Sequence, residues 1–551
     1  MNKVIYIIDI KKKQNSNFSI KNLINEDAAI LSLTPYSSYL LDCADREYKT
    51  FHELISINDF KKKIFEIYDE LEKVFQIHQD FSYIFRNLAL VKNYEIFINV
   101  LFEFINEQKK NNYKIIYITD TEKKPDITKF NFVSNENSGF LYNKSIDEFR
   151  YTHSKDKYFY ILMKIKSIAF KIIYDRNLFF KIKSKFLKQK NTYLTYDNMN
   201  FYNFWEKTTN QKVLNLNFNY AYDLFVKDIS SVLIQKGAEK FIVAMYEKTF
   251  DELRKEIINQ SNINEISLKP FVYLSNDKDF VTSLIYKKNN IPSIFMQHGS
   301  YHHNQIFLLY SEIMPASINF VINEYTKNIF LKNNAKAAHA VGSINFNKKI
   351  INRYKKYDFI YITHCTLYSY SATYVDSKDS WYAMDGNNIY KKHKNIIELF
   401  GEKFIHQSIC IKMQPAIVDS MFYVPLLELS KKYKNVKIEF FEPLHRLIEK
   451  SQYIISDYFS SEFMNRELHY KRDIILFNSE PLKLPEETLE DMQKMFILVD
   501  TVNDLRDKVE NIVEITKNRK RYDDIIEYYS SKKCDTKKVV IEILEKELNG
   551  K

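Results

Sequence analysis

Between residues 359 and 477, short apolar runs recur, each closed by a polar, turn-forming cluster and separated by stretches with helical periodicity. The runs are Phe359–Thr363, Ser408–Met413, Val436–Phe440, Tyr453–Ile455 and Ile474–Phe477. Short continuous apolar runs of this kind, bounded by turn signals, read as strands buried on both faces. Strands that alternate with helices must run parallel, because each crossover returns the chain to the same end of the sheet. This half of the chain is therefore expected to be a parallel sheet sandwiched between helices.

The first half follows the same pattern less cleanly. Strands are expected near 3–9, 28–33 and 113–119, helices near 58–77, 91–109 and 218–236, and further strands at Phe271–Leu274, Ser293–Met296, Ile318–Ile322 and Ala338–Val341. A chain of 551 residues exceeds what one hydrophobic core supports. Two domains are expected. Residues 1–345 form the first, with a basic amphipathic insertion near 150–215, and 346–551 form the second, whose last stretch, Val502 to Leu548, reads as charged helices packing back across both halves. Gly342-Ser343 marks the turn into the linker.

The net charge of +11 is concentrated at 161–190, where nine basic residues meet the single acid Asp175. Ile161, Ile165, Ile168 and Ile172 recur there at helical spacing. Such a segment either lies in an anionic headgroup layer as a peripheral membrane contact or packs its apolar side on the core. No recognition motif accompanies it, so nucleic acid is not an expected partner. No window approaches the roughly 18 uninterrupted apolar residues of a membrane span. The cysteines Cys43, Cys365, Cys410 and Cys534 lack CxxC or metal-ligand spacing, which argues against a disulfide framework or structural zinc and for a reducing cytoplasm. The expected location is cytoplasmic, at the inner face of the cell membrane if the basic segment meets lipid.

Several strand ends carry polar residues suited to chemistry, and ligands of open α/β sheets bind at those ends. Ser456-Asp457-Tyr458-Phe459-Ser460-Ser461-Glu462 follows an apolar run and precedes a helical one, so Ser460 and Ser461 with the helix amides form a candidate diphosphate cradle. Lys412-Met413-Gln414-Pro415 offers Lys412 as a phosphate-neutralising cation and Gln414 as a hydrogen-bonding group at a proline turn, and Glu442 is a candidate acceptor for ribose hydroxyls. In the first half, Gln297-His298-Gly299 ends a strand. An imidazole with an ordinary pKa near ~6.5 can take a proton from an attacking hydroxyl, and Gly299 allows close approach. A strand-end histidine also serves purely structural roles. His302 and His303 raise a metal reading, but no carboxylate or thiolate stands at ligand spacing, so no metal is expected.

Four of these anchors, Gln297-His298-Gly299, Gly342-Ser343, Lys412-Met413-Gln414-Pro415 and Ser456–Ser461, occur in an order that resembles the GT-B glycosyltransferase-like proteins of bacterial surface polysaccharide synthesis, in particular the CDP-glycerol glycerophosphotransferases and related capsule transferases. The likeness covers about residues 270–480. Two departures stand out: Gln414 replaces the family's donor-binding histidine, and Phe459 is inserted before the paired serines. The resemblance implies two Rossmann-like domains with parallel sheets facing across a cleft. It implies an enzyme, with His298 as general base, Lys412, Gln414, Pro415, Glu442, Ser460 and Ser461 on the donor side, and Gln297, Gly299 and Asp457 lining the acceptor side or cleft. The donor would be a sugar or polyol phosphate activated by CMP, CDP or UDP, serving as substrate, with no cofactor. The acceptor would be a glycan or lipid-linked hydroxyl of a capsule, lipopolysaccharide or teichoic-acid-like polymer. A UDP-sugar epimerase of the same architecture and a non-catalytic scaffold of polysaccharide assembly are the alternative readings.

Overall fold

The computed structural model describes chiefly residues 4–9, 20–55, 100–119, 218–235, 271–273, 293–297, 316–342, 355–363, 386–413, 423–457, 472–479 and 484–549, with short pieces at 208–209, 266–267, 372–375 and 381–384. The basic segment 161–190 lies outside the described residues.

Strands β1 (Val4–Asp9), β2 (Ala29–Ser32), β3 (Lys49–Thr50) and β4 (Lys114–Thr119) form an all-parallel sheet in the order β3-β2-β1-β4, with helix α1 (Pro35–Cys43) after β2. A short antiparallel pair, β5 (Thr208–Thr209) with β6 (Ile266–Ser267), and helix α2 (Phe218–Gln235) come next along the chain. Strands β7 (Phe271–Tyr273), β8 (Ser293–Met296), β9 (Ile318–Val321) and β10 (Ala338–Ala340) then form a second parallel sheet, ordered β10-β9-β8-β7, with α3 (Glu324–Lys332) crossing between its last two strands. Among the described residues, 4–342 thus contribute two four-stranded parallel sheets.

The third sheet fulfils the opening expectation. Its strands are β11 (Tyr357–Ile362), β14 (Ile409–Lys412), β15 (Val436–Glu439), β16 (Ser451–Ser456), β17 (Ile474–Phe477) and β18 (Ile497–Val499), all parallel and ordered β15-β14-β11-β16-β17-β18. Counted within the sheet, that is 3-2-1-4-5-6, the doubly wound nucleotide-binding order, whose direction reverses between β11 and β16. A hairpin, β12 (Ala372–Val375) with β13 (Trp381–Met384), precedes helix α4 (Gly386–Glu398). The remaining helices are α5 (Tyr423–Ser430), α6 (Leu444–Glu449), α7 (Glu486–Met495), α8 (Val502–Glu510), α9 (Ile512–Asn518), α10 (Asp523–Tyr529) and α11 (Thr536–Asn549).

Alternation along β11 explains why both faces are covered. Phe359 and Tyr361 enter one buried cluster with Ile396, Phe400 and Leu426, whereas Ile360 and Ile362 enter another with Leu447, Met492 and Ile526. Successive side chains of a strand point to opposite faces, so a continuous apolar run stays buried only when helices lie on both. The first cluster also takes in Tyr6, Ile8, Ile30 and Leu41, and α1 packs against α4 and α5, so the N-terminal sheet is joined to this domain by shared core.

The C-terminal helices bind back to the second sheet. Val540 of α11 completes the cluster of Ile294, Ile318, Phe320 and Val341. Asn323 Nδ2 donates to the Tyr529 carbonyl at 2.6 Å and Lys532 N donates to the Ile322 carbonyl at 2.8 Å. Among the described residues no helix is long and apolar enough to cross a membrane.

Candidate functional site

At the reversal point of the third sheet, β11 ends in Ile362 and the buried Thr363, and β16 ends in Ser456 and Asp457. Asp457 N donates to the Ile362 carbonyl at 3.2 Å, so pairing extends one residue past β16. The Asp457 side chain is 4% exposed, and a buried carboxylate needs compensation. Three groups supply it. Tyr361, wholly buried on β11, donates its hydroxyl to Oδ2 at 2.6 Å; His393 Nε2 lies 3.3 Å from the same oxygen; and the Lys392 ammonium lies 2.5 Å from Oδ1.

Burial pushes the Asp457 carboxyl up, but the neighbouring Lys392 charge and the His393 bond outweigh it and hold the group well below the usual carboxylate range. Burial is also the largest influence on His393, and it drives that imidazole below its ordinary value despite the adjacent carboxylate. The site therefore holds an ionised aspartate, a lysine partner and a neutral histidine.

Both basic partners come from α4, and its sequence explains how one helix reaches them. Ile389, Ile396, Ile397 and Phe400 recur at helical spacing and are buried against the third sheet. Asn435 Nδ2 caps the far end, lying 2.9, 3.0 and 2.8 Å from the Phe400, Phe404 and Gln407 carbonyls. Along another stripe, Asn387, Tyr390, Lys391 and Lys394 meet the N-terminal sheet. Asn387 Nδ2 donates to the Ser32 carbonyl at 3.2 Å, its Oδ1 accepts from Ser38 at 2.9 Å, and the Ser32 and Ser38 hydroxyls are 2.9 Å apart. Asp42 accepts from Tyr390 and Lys394, each at 2.9 Å, and from Tyr48 at 3.2 Å. Ser32 closes β2, so polar residues from the carboxyl ends of two parallel sheets converge on α4.

The neighbouring strand ends are tied down differently. Lys412, the last residue of β14, donates its ammonium to the Phe440 carbonyl, and its own carbonyl accepts from Thr363 N at 3.3 Å and Thr363 Oγ1 at 3.2 Å. Glu439 Oε1 accepts from the amides of Phe441 and Glu442 at 3.1 and 3.2 Å, which fixes the turn after β15. Glu442 is ion-paired with Lys450. Lys412 and Glu442 are thus at the expected edge, but each is engaged with protein.

Of the other residues singled out from sequence, Gln297 lies at the end of β8, 4% exposed, and its Oε1 accepts from Ile322 N at 2.8 Å. His298, Gly299, Gln414, Pro415, Ser460 and Ser461 lie outside the described residues. Tyr361, Lys392 and His393 were not anticipated. The only trace of the last two is the basic run Lys391-Lys392-His393-Lys394, which looks like an ordinary solvated helix face until the sheet brings Asp457 to it.

No family model matches the chain, and no curated protein is significantly similar to it. Solved structures overlap it in part. They include MnaA of S. aureus with UDP, 12% identical with a TM-score of 0.35, covering 54% of this chain and 78% of that one. The UDP-GlcNAc 2-epimerase of Methanocaldococcus jannaschii, in complex with UDP-GlcNAc and UDP, is 18% identical with a TM-score of 0.34 over 54% of this chain and 80% of its own. A glycosyltransferase from Rickettsia africae is 12% identical with a TM-score of 0.32, over 61% and 84% of the two chains.

Proposed function

We propose that the chain is a glycosyltransferase that moves a sugar or polyol phosphate from a nucleotide-activated donor to a hydroxyl of a surface polysaccharide, with the donor nucleotide at the reversal point of the third sheet. The observation that carries this reading is the 3-2-1-4-5-6 strand order with Asp457, Thr363 and Lys392 gathered where that order reverses. In this reading His298 takes the proton of the acceptor hydroxyl as its oxygen attacks the activated carbon or phosphorus. The bond to the nucleotide phosphate breaks, and the electron pair leaves with that phosphate toward Ser460 and Ser461. The 161–190 segment holds the enzyme near a lipid-linked acceptor.

The test is to incubate the full chain with CMP-, CDP-, UDP- and GDP-activated donors and follow release of free nucleotide. Release that depends on added glycan acceptor and is lost in His298→Ala supports transfer. Isomerisation of the donor sugar without an acceptor, or absence of turnover with every donor, contradicts it.

A further inference from the structure

Lys392 holds an unusual position among the cations of this domain. Its ammonium lies 2.5 Å from Asp457 Oδ1, at the first residue after β16, and 3.8 Å from the centroid of the Phe477 ring, at the last residue of β17. It therefore sits at the carboxyl edge of the sheet, between the ends of β16 and β17, beside the reversal point. Among the described residues the ammonium meets Asp457 and the Phe477 ring and no other group. An ammonium carries three N–H donors, so the carboxylate oxygen and the ring face together leave one direction open. The side chain is 25% exposed, whereas Asp457 Oδ1 is sealed from solvent. A ligand arriving at this edge meets the cation and not the carboxylate. Lys412, the cation anticipated from sequence, points its ammonium at the Phe440 carbonyl.

We infer that Lys392 is the side chain that neutralises the donor's phosphate, with Asp457 and the Phe477 ring holding it in place. This rests on the nucleotide reading above. A phosphate oxygen accepts from the remaining N–H, making a charge-assisted bond in a partly desolvated setting. The carboxylate orients the ammonium and tempers its charge, so the free site does not retain an adventitious anion strongly. Lys391, one residue earlier, faces the N-terminal sheet and lies 3.7 Å from Glu53, so it takes no part.

The test is calorimetric titration of the full chain with CDP, UDP and GDP, each paired with its nucleoside. The readout is the ratio of diphosphate affinity to nucleoside affinity for the base the native chain prefers. Lys392→Met alone would strand a buried carboxylate, so the informative variant is Lys392→Met with Asp457→Asn, which removes both charges together. In that double variant the ratio should fall about ten- to hundredfold. Lys391→Met, an equal charge loss on the same helix, should leave it unchanged. Asp457→Asn alone should raise it, because the ammonium is released from its partner, and this arm decides the matter should the double variant not fold. An unchanged ratio in the double variant, or a fall with Asp457→Asn alone, overturns the inference while leaving the nucleotide reading intact. Failure of the native chain to bind any of the diphosphates overturns both.

Discussion

Asp457 stays ionised inside the protein because three donors converge on it, and that arrangement gives folding a defined dependence on pH. His393 is wholly buried, and burial lowers its pKa below the ordinary ~6.5. The unfolded chain then takes up a proton near pH 6.5 that the folded chain refuses, so the unfolded state binds more protons and stability falls as pH drops through that region. The slope attributable to one proton is at most about 1.4 kcal/mol per pH unit. Asp457 has the same sign at lower pH: its depressed pKa contributes stability present above the unfolded value near ~3.9 and lost on further acidification. Urea denaturation at pH 7.5 and 5.5 should therefore show a smaller loss of stability in His393→Gln than in the native protein. Equal losses would mean that the His393 pKa does not change on folding. Cys410 offers a contrast, since burial pushes its thiol up to about 12, which leaves it a packing residue with little thiolate character.

Helix α4 has two differently employed stripes. One reaches Asp457, and the other closes the buried chain Ser32–Ser38–Asn387, whose members are at most 1% exposed. Ser38→Ala would remove two buried hydrogen bonds, to Asn387 Oδ1 and with the Ser32 hydroxyl, each contributing about 0.5–1.5 kcal/mol. Chemical denaturation should register that loss. An unchanged midpoint for Ser38→Ala would show that the chain of bonds does not contribute. At this scale much was legible in advance. Apolar runs placed β11, β14, β15, β16 and β17, because strands buried on both faces leave a strong sequence signal. The two-residue β3 and the hairpin β12–β13 left no such signal, and nothing local distinguishes Lys392 from Lys391. Their different fates depend on a sheet strand more than sixty residues away, as the separation of 64 between His393 and Asp457 shows. Lys412 was correctly placed at a strand end, but its direction is set by the Phe440 carbonyl, a tertiary partner that strand spacing does not reveal.

The molecule as a whole is held together by segments distant in sequence. The N-terminal sheet shares core with the third sheet, and the chain after Tyr529 returns to the second. Gly342 sits at that return with φ of +75°, and a Cβ added there would lie 2.3 Å from the Lys532 carbonyl oxygen. Only glycine combines this left-handed backbone with so close a neighbour. Gly342→Ala should cost about 2–4 kcal/mol, the sum of the backbone penalty and the displaced contact. It should also make the 530–549 segment more susceptible to limited proteolysis; native-like resistance would place the lock elsewhere. Gly342 was singled out from sequence as the start of a linker, but its role in docking the C-terminal segment was not legible, because that needs Lys532 in place.

A donor nucleotide bound at the reversal point of the third sheet, as proposed, would cover the ends of β11 and β16 and the adjoining face of α4. Hydrogen exchange of the full chain with and without the preferred nucleoside diphosphate tests it most directly. Added protection is expected in peptides covering 357–363, 386–398 and 451–461, with little change in the N-terminal sheet strands at 4–9 and 29–32. Protection confined to the first or second sheet, with the 451–461 peptide unaffected by saturating nucleotide, would contradict it.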